Sequence, residues 1–199
     1  MDIESQNRNE LMNILAESFT CYQEVQLRHR YFAETKIRAD VVAISKDSRH
    51  PVALAFEVKV PSGSWEFKNW SAAFKQASDY VFATPDDERL TEASGRCLIA
   101  ASFVYPGPDL TPWQSSDQQT TRFYRDYDRE ALLGVQMFAQ HIKVGVARRT
   151  KSGKSQLELR IGTDRVFLSG TGFADKALKR LTIARLGSRQ VEIPGLLNQ

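Results

Sequence analysis

Residues 37–60 read IRADVVAISKDSRHPVALAFEVKV, two apolar runs with several β-branched residues around a polar centre. The first run, 37–45, and the second, 52–60, each have the composition of a β-strand. The polar residues 46–50, followed by Pro51, predict a turn between the two runs. We therefore predict an antiparallel hairpin.

Asp40 stands in the first strand of this hairpin, and Glu57 and Lys59 stand in the second, where the surrounding residues are strongly apolar. Because strand side chains alternate, Glu57 and Lys59 share one face, and the pairing places Asp40 near Glu57. Two converging carboxylates repel each other, and a buried charge is costly unless it is paired or holds a metal. The pattern favours a site for Mg²⁺ or Mn²⁺, which prefer such oxygen ligands.

The chemistry that fits such a site is phosphodiester hydrolysis. A metal there would polarise a phosphate and lower the pKa of a bound water. Lys59 would orient or help deprotonate that water, or stabilise charge on the phosphorane. The alternative is a surface aspartate beside a Glu/Lys pair on a solvent-facing strand.

The flanking segments predict an α/β protein. Upstream, apolar spacing predicts a helix over 8–19, and alternation predicts a strand over 22–31. Downstream, we predict a helix over 69–83, a charged loop over 84–92 and a strand over 97–105 that is buried on both faces. After a long loop at 106–121, the predicted elements are a helix over 128–140, strands over 142–148, 156–161 and near 165–168, and a basic helix over 173–186.

The hairpin motif is similar to that of a known family. Arg38-Ala39-Asp40, followed by the hairpin turn and by Phe56-Glu57-Val58-Lys59, resembles the PD-(D/E)XK nuclease superfamily. That superfamily includes restriction endonucleases, archaeal-type Holliday junction resolvases and RecB-like exonucleases, and its motif usually has proline where this chain has Ala39. Its core is a central mixed sheet flanked by helices in the order αβββαβ, which the predicted elements of residues 8–105 follow. The resemblance implies a restriction-endonuclease-like core over residues 1–140. Residues 141–199 would form a basic β-hairpin and helix extension packed on the same domain.

The resemblance also implies further site residues. Gln76 and Tyr80, four apart on the helix after the ExK strand, match a QxxxY motif with which RecB-like members contact the active site or DNA. Many members use a first-helix glutamate as an additional metal ligand. We slightly favour Glu10 over Glu17 for that ligand, and Glu24 is a third, weaker candidate; the alternative for Glu10 and Glu17 is that both are ordinary solvated helix glutamates. The implied metal ligands are Asp40, Glu57, Val58 and Glu10, and the implied catalytic residues are Asp40, Glu57, Lys59, Gln76 and Tyr80.

The charge of the chain is unevenly distributed. Residues 141–199 contain 12 Lys/Arg and four Asp/Glu, a net charge of +8, whereas residues 1–140 have a net charge of −5. A basic segment on an acidic body indicates an anionic partner, most commonly nucleic acid, although a solvated basic surface is the alternative. The basic side chains at the predicted hairpin tip could grip a phosphate backbone; they are Arg148, Arg149, Lys151 and Lys154.

The function predicted from these features is an Mg²⁺-dependent deoxyribonuclease in which Mn²⁺ can substitute, and which could act as a monomer or a homodimer. The alternatives are a catalytically inactive nuclease-fold protein that binds nucleic acid or a protein partner, and an α/β protein with a chance motif. Both endonuclease and exonuclease activity, on DNA or RNA, are compatible with the motif. The chain has no run of roughly 18 apolar residues, and its first residues lack a signal-peptide pattern, which predicts a cytoplasmic protein.

Overall fold

The computed structural model describes residues 2–32, 34–47, 52–60, 67–90, 99–107, 126–150, 156–174 and 181. Within them, nine strands form one sheet. In chain order these are β1 (Phe19–His29), β2 (Lys36–Ser45), β3 (Ala53–Val58), β4 (Ala83–Pro85), β5 (Ile99–Tyr105), β6 (Val144–Arg149), β7 (Leu157–Ile161), β8 (Asp164–Leu168) and β9 (Gly172–Phe173). The helices with described bounds are α1 (Ile3–Leu15), α2 (Phe67–Val81) and α3 (Asp126–Ala139), the last followed by a 3₁₀ turn at Gln140–Ile142.

The sheet is mixed, with the strand order β4-β1-β2-β3-β5-β6-β7-β8-β9. Strands β3 and β6 run parallel to β5, which lies between them, and the other neighbouring pairs are antiparallel. The predicted α/β class, with a mixed sheet flanked by helices, is confirmed. The sheet has more strands than predicted, because β4 lies at the start of a predicted loop and β9 lies at the start of a predicted helix.

The predicted hairpin is present as β2 and β3. Its register pairs Val41 with Phe56 and Ile44 with Ala53, whereas residues 48–51 of its turn lie outside the described residues. Every residue of β3 and of β5 is buried. This burial explains their continuous apolar sequences, since a strand covered on both faces has no solvent-facing side chains.

Helices pack against both faces of the sheet. Leu15 of α1 belongs to the same buried cluster as Phe103 of β5. Ala77 of α2 packs instead with Val104, the next residue of that strand, together with residues of α3 and β6. Since consecutive strand residues point to opposite faces, α1 covers one face while α2 and α3 cover the other. No helix among the described residues combines the length and hydropathy of a membrane-spanning segment.

The first helix differs from its prediction in position. It begins at Ile3 rather than residue 8, because the side chain of Asp2 caps it by accepting a hydrogen bond of 2.6 Å from the amide nitrogen of Ser5. It ends at Leu15 rather than residue 19, because Phe19 already starts β1. Glu17 therefore lies in the turn between α1 and β1, outside the helix.

The described residues of the C-terminal part continue the same sheet. β6 pairs in parallel with β5, and β7, β8 and β9 follow as antiparallel neighbours. Phe173, predicted to open the last helix, instead forms β9 together with Gly172 beside β8. Leu181 is helical and buried, while residues 175–180 and 182–199 lie outside the described residues.

Candidate active site

A cleft of about 430 Å³ lies where β2, β3, α2 and the start of α1 meet. Its lining includes Lys36–Arg38 and Asp40 of β2, Glu57 and Lys59 at the end of β3, and Gln76, Asp79 and Tyr80 of α2. The first turn of α1 contributes Glu4. Carboxylates and cations are thus mixed in one polar cleft at the edge of an apolar core.

Asp40 and Glu57 lie together in this cleft, as the hairpin predicts. Strands β2 and β3 are antiparallel and pair Val41 with Phe56. Asp40 precedes Val41 and Glu57 follows Phe56, so both lie at the same end of this ladder. Oδ2 of Asp40 accepts a hydrogen bond of 2.6 Å from the amide nitrogen of Val58. Glu57 is 2% exposed, which makes it one of the few charged side chains buried in the described structure.

The surroundings of Asp40 disfavour its ionised form. Burial is the main cause, and the neighbouring charge of Glu57 is the second; together they raise the pKa of Asp40 to about 6. The charge of Glu4 acts in the same direction. The hydrogen bond from Val58 and the charge of Lys59 oppose the rise in pKa but do not cancel it. A cation in the cleft would favour the ionised form of Asp40.

Two side chains hold the buried carboxylate of Glu57. Lys59, two residues further along the chain, forms an ion pair with Oε1, and the hydroxyl of Tyr80 donates a hydrogen bond to Oε2. The Tyr80 hydroxyl also lies 3.0 Å from the carbonyl oxygen of Arg38. Burial, and after it the charge of Glu57, raises the pKa of Tyr80, so the phenol keeps its proton and remains a donor. Tyr80 therefore ties α2 to both strands of the hairpin.

Lys59 is fixed through both its backbone and its side chain. Its amide nitrogen donates to the carbonyl oxygen of Tyr105 at 2.7 Å, and its carbonyl oxygen accepts from Nδ2 of Asn7 at 2.9 Å. Its Nζ lies 3.2 Å from Oε1 of Gln76. The side chain is 32% exposed. The ammonium group is thus held at the cleft surface, where it can reach a bound anion.

Gln76 and Tyr80, which the helical spacing places on one face of α2, both line the same cleft as Asp40, the position that the resemblance to the QxxxY motif implies. Their positions follow from α2 packing across the sheet, which turns the helical face bearing both residues towards β2 and β3. Tyr80 is 2% exposed and belongs to the apolar cluster around Val25 and Ala39. Gln76 instead contacts Lys59 at the open side of the cleft.

The first-helix glutamate at the cleft is Glu4, not Glu10. Glu10 is absent from the cleft lining, and its Oε1 lies 2.6 Å from Nη1 of Arg149. Glu17 lies beyond the end of the helix. Glu24 is held by two arginines, Arg8 and Arg38, through Nη1 atoms at 2.5 and 2.9 Å from its carboxylate oxygens. Glu4 is absent from the predicted site because apolar spacing predicts a helix that starts only at residue 8.

The donor set suits a divalent cation that keeps several waters. Among the described residues, no three His, Cys, Asp or Glu side chains are close enough to hold a metal ion. Mg²⁺ is commonly bound by one or two carboxylates together with water and substrate phosphate. Asp40 and Glu57 provide such a pair. The side chain of Val58 has no atom that can bind a metal, so the predicted role of Val58 as a ligand could involve only its main-chain carbonyl oxygen.

The two described arginines of the predicted basic hairpin tip lie on opposite faces of the sheet. Arg148 and Arg149 are consecutive residues at the end of β6 and therefore point to opposite faces. Arg149 points towards α1, where it pairs with Glu10. Arg148 points to the face of Val146, which packs with α2. Lys151 and Lys154 lie outside the described residues.

Comparisons of this chain with models of protein families, with curated proteins and with solved structures give no match.

Proposed function

We propose that this protein is a metal-dependent nuclease that hydrolyses phosphodiester bonds of DNA through Asp40, Glu57 and Lys59. The observation that carries the proposal is the convergence of these three side chains in one cleft. Charged groups are costly to bury without a compensating partner, so a buried Glu57 beside Asp40 indicates a site maintained for chemistry.

The element order supports a restriction-endonuclease-like core. From α1 to β5 the chain forms a helix, three antiparallel strands, a helix and a strand parallel to β3. This is the αβββαβ order that the resemblance to PD-(D/E)XK nucleases implies. The short strand β4, inserted between α2 and β5, pairs with the outer side of β1 and leaves that order intact.

Each residue of the cleft has a role in this proposal. Asp40 and Glu57 would hold Mg²⁺, with Mn²⁺ as a substitute, and the bound ion would polarise the scissile phosphate and a water nucleophile. Lys59 orients that water or stabilises the negative charge that develops on the phosphate. Gln76 positions the Lys59 ammonium group, and Tyr80 positions Glu57 by hydrogen bonding.

A cleavage assay on linear, circular, single-stranded and branched DNA, with Mg²⁺ and with EDTA, tests this function. Asp40→Asn, Glu57→Gln and Lys59→Ala should each lower the cleavage rate by at least about 100-fold. Calorimetric titration with Mn²⁺ separates the roles: both carboxylate variants should bind Mn²⁺ more weakly, and Lys59→Ala should not. Full activity of Asp40→Asn would rule out the proposed site.

A second candidate is a nuclease-fold protein that binds nucleic acid without cutting it. The observation in its favour is that both carboxylate oxygens of Glu57 are already engaged within the chain, by Lys59 and Tyr80. The same assays decide between the two candidates. Binding of DNA without Mg²⁺-dependent cleavage of any of the four substrates would favour this second function.

A further inference from the structure

Exposed aromatic side chains follow the end of β1. Tyr31 is 45% exposed and Phe32 is 65% exposed. Their rings lie 5.9 and 4.9 Å from the ring of the buried His29, and Phe82 packs beside Tyr31 with a centroid separation of 6.2 Å. We refer to His29, Tyr31, Phe32 and Phe82 as the aromatic turn.

The backbone of the aromatic turn is held in place by hydrogen bonds. Nδ1 of His29 accepts from the amide nitrogens of both Tyr31 and Phe32, each at 3.2 Å. The carbonyl oxygen of Phe32 accepts from the amide nitrogen of Thr35 at 2.8 Å. A further hydrogen bond of 3.0 Å joins the amide nitrogen of Arg30 to the carbonyl oxygen of Phe82. The exposed rings are therefore presented on an ordered support, which lowers the entropy lost when a ligand binds them.

Arg30, within this turn, is a half-buried cation that makes no ion pair with the carboxylates of the described chain. Its Nε is buried and has no hydrogen-bond partner. Burial lowers the pKa of Arg30, which shows that its surroundings disfavour the charged form. A half-buried positive charge without a counterion is costly, and a bound anion would offset that cost.

Both chain segments of the aromatic turn lie close in sequence to residues that line the cleft. Lys36, the first residue of β2, lines the cleft and lies four residues after Phe32. Tyr80 also lines the cleft and lies two residues before Phe82. Lys36 pairs with Arg28, next to His29, so a polyanion that extends from the cleft past Lys36 would come close to the aromatic turn.

We propose that the aromatic turn binds an unpaired nucleotide of the nucleic acid whose backbone lies in the cleft. The base stacks on Phe32 and Tyr31, and Arg30 contacts an adjacent phosphate. Stacking on an aromatic face requires a base that is not paired in a duplex, so the substrate class is single-stranded or locally unpaired nucleic acid. This inference rests on the proposed function, which supplies the nucleic acid in the cleft.

Fluorescence anisotropy in EDTA, which prevents metal-dependent cleavage, tests the inference. The probes are a single-stranded oligodeoxynucleotide of about 12 nucleotides, the duplex of the same sequence, and an abasic strand of the same length. Phe32→Ala should weaken binding of the single strand by roughly 5- to 100-fold and leave binding of the abasic strand unchanged. Phe32→Trp, which keeps a stacking surface, should retain affinity.

Phe138→Ala provides a matched control. Phe138 is 75% exposed on α3 and is not part of the cleft lining, so its loss should leave affinity for every probe unchanged. Melting temperatures of all variants identify any loss of folding, which is not expected for side chains this exposed.

The outcomes distinguish this inference from the proposed function. If Phe32→Ala binds the single strand as tightly as the unmodified protein, while Asp40-dependent cleavage is observed, only the aromatic turn proposal is overturned. If the unmodified protein binds none of the probes and cleaves no substrate, both proposals are overturned. Selective loss of single-strand affinity in Phe32→Ala supports the inference even if no cleavage is detected.

Discussion

The carboxylate of Asp40 accepts a hydrogen bond of 2.6 Å from the main-chain N–H of Val58, the residue that follows Glu57 on β3. This bond holds Asp40 against Glu57 although the two carboxylates repel each other. The ionised form of Asp40 is therefore disfavoured: burial and the charge of Glu57 raise its pKa to about 6. The site is therefore arranged at the expense of stability, as is common for functional residues.

Asp40→Asn should abolish cleavage and at the same time stabilise the fold above pH 6. In the unfolded chain the pKa of Asp40 is about 3.9, so the folded state binds more protons between that pH and about 6. The contribution of Asp40 to stability is full below about pH 4 and is lost as the pH rises through 6. Asparagine carries no charge and keeps an oxygen for the Val58 N–H.

The gain in melting temperature should therefore be near zero at pH 4 and reach roughly 2–6 °C above pH 7, measured by scanning calorimetry in EDTA. Asp79→Asn is the control, because it also removes a carboxylate from the cleft. Unlike Asp40, the Asp79 carboxylate forms an ion pair with Lys75 at 3.1 Å. Asp79→Asn should not stabilise the protein. A gain for Asp40→Asn that is independent of pH would contradict the stated cause.

Glu4→Gln should weaken Mn²⁺ binding, whereas Glu10→Gln should not. Glu4 lies in the cleft close enough to influence the pKa of Asp40, and its negative charge attracts a cation there. A loss of roughly 2- to 10-fold in affinity is expected from one partly screened charge. Glu10 does not line the cleft and lies 2.6 Å from Arg149, whereas the ion pair between Glu4 and Arg8 is longer, at 3.8 Å. Calorimetric titration with Mn²⁺ at pH 7.5 compares the two variants. Weaker Mn²⁺ binding in Glu10→Gln alone would show that Glu10, and not Glu4, is the ligand.

Tyr80→Phe should reduce cleavage by roughly 10- to 100-fold through misplacement of Glu57. It should also lower the free energy of unfolding by about 1–3 kcal/mol, because a buried carboxylate oxygen loses its donor. Ser78→Ala is the control on the same helix, since the Ser78 hydroxyl donates to the carbonyl oxygen of Phe74 and Ser78 does not line the cleft. Steady-state kinetics and urea unfolding provide the two readouts. Unchanged kinetics in a destabilised Tyr80→Phe would mean that Tyr80 supports only the fold.

Arg148 and Arg149 should differ in their effect on DNA binding. Each phosphate contact contributes a slope of roughly 0.9 to the dependence of log affinity on log salt for duplex DNA. Arg148→Ala should reduce that slope by about this amount, because Arg148 lies on the face of the sheet that packs with α2, the helix that lines the cleft. Arg149→Ala should leave it unchanged, because its guanidinium group pairs with Glu10 on the opposite face. Equal effects of both substitutions, measured by anisotropy between 50 and 200 mM salt, would contradict the division of these residues by the sheet.

Several features of the site follow from local sequence alone. The apolar runs around Asp40 and Glu57 specify the two strands, because alternating and buried strand residues have a recognisable composition. Strand alternation places Glu57 and Lys59 on one face, and a helical spacing of four places Gln76 and Tyr80 on one face. These regularities act over a few residues and need no knowledge of the rest of the chain.

Other features depend on contacts between distant segments. Local periodicity could not show that α1 starts at Ile3, which brings Glu4 to the cleft and leaves Glu10 beside Arg149. It also could not show that residues 83–85 pair with β1, since a strand of three residues has no periodicity to detect. The sequence thus determined which side chains share an element and a face. The tertiary structure decided which of these faces meet, because helix ends, short edge strands and ion pairs are stabilised by partners that lie far away in the chain.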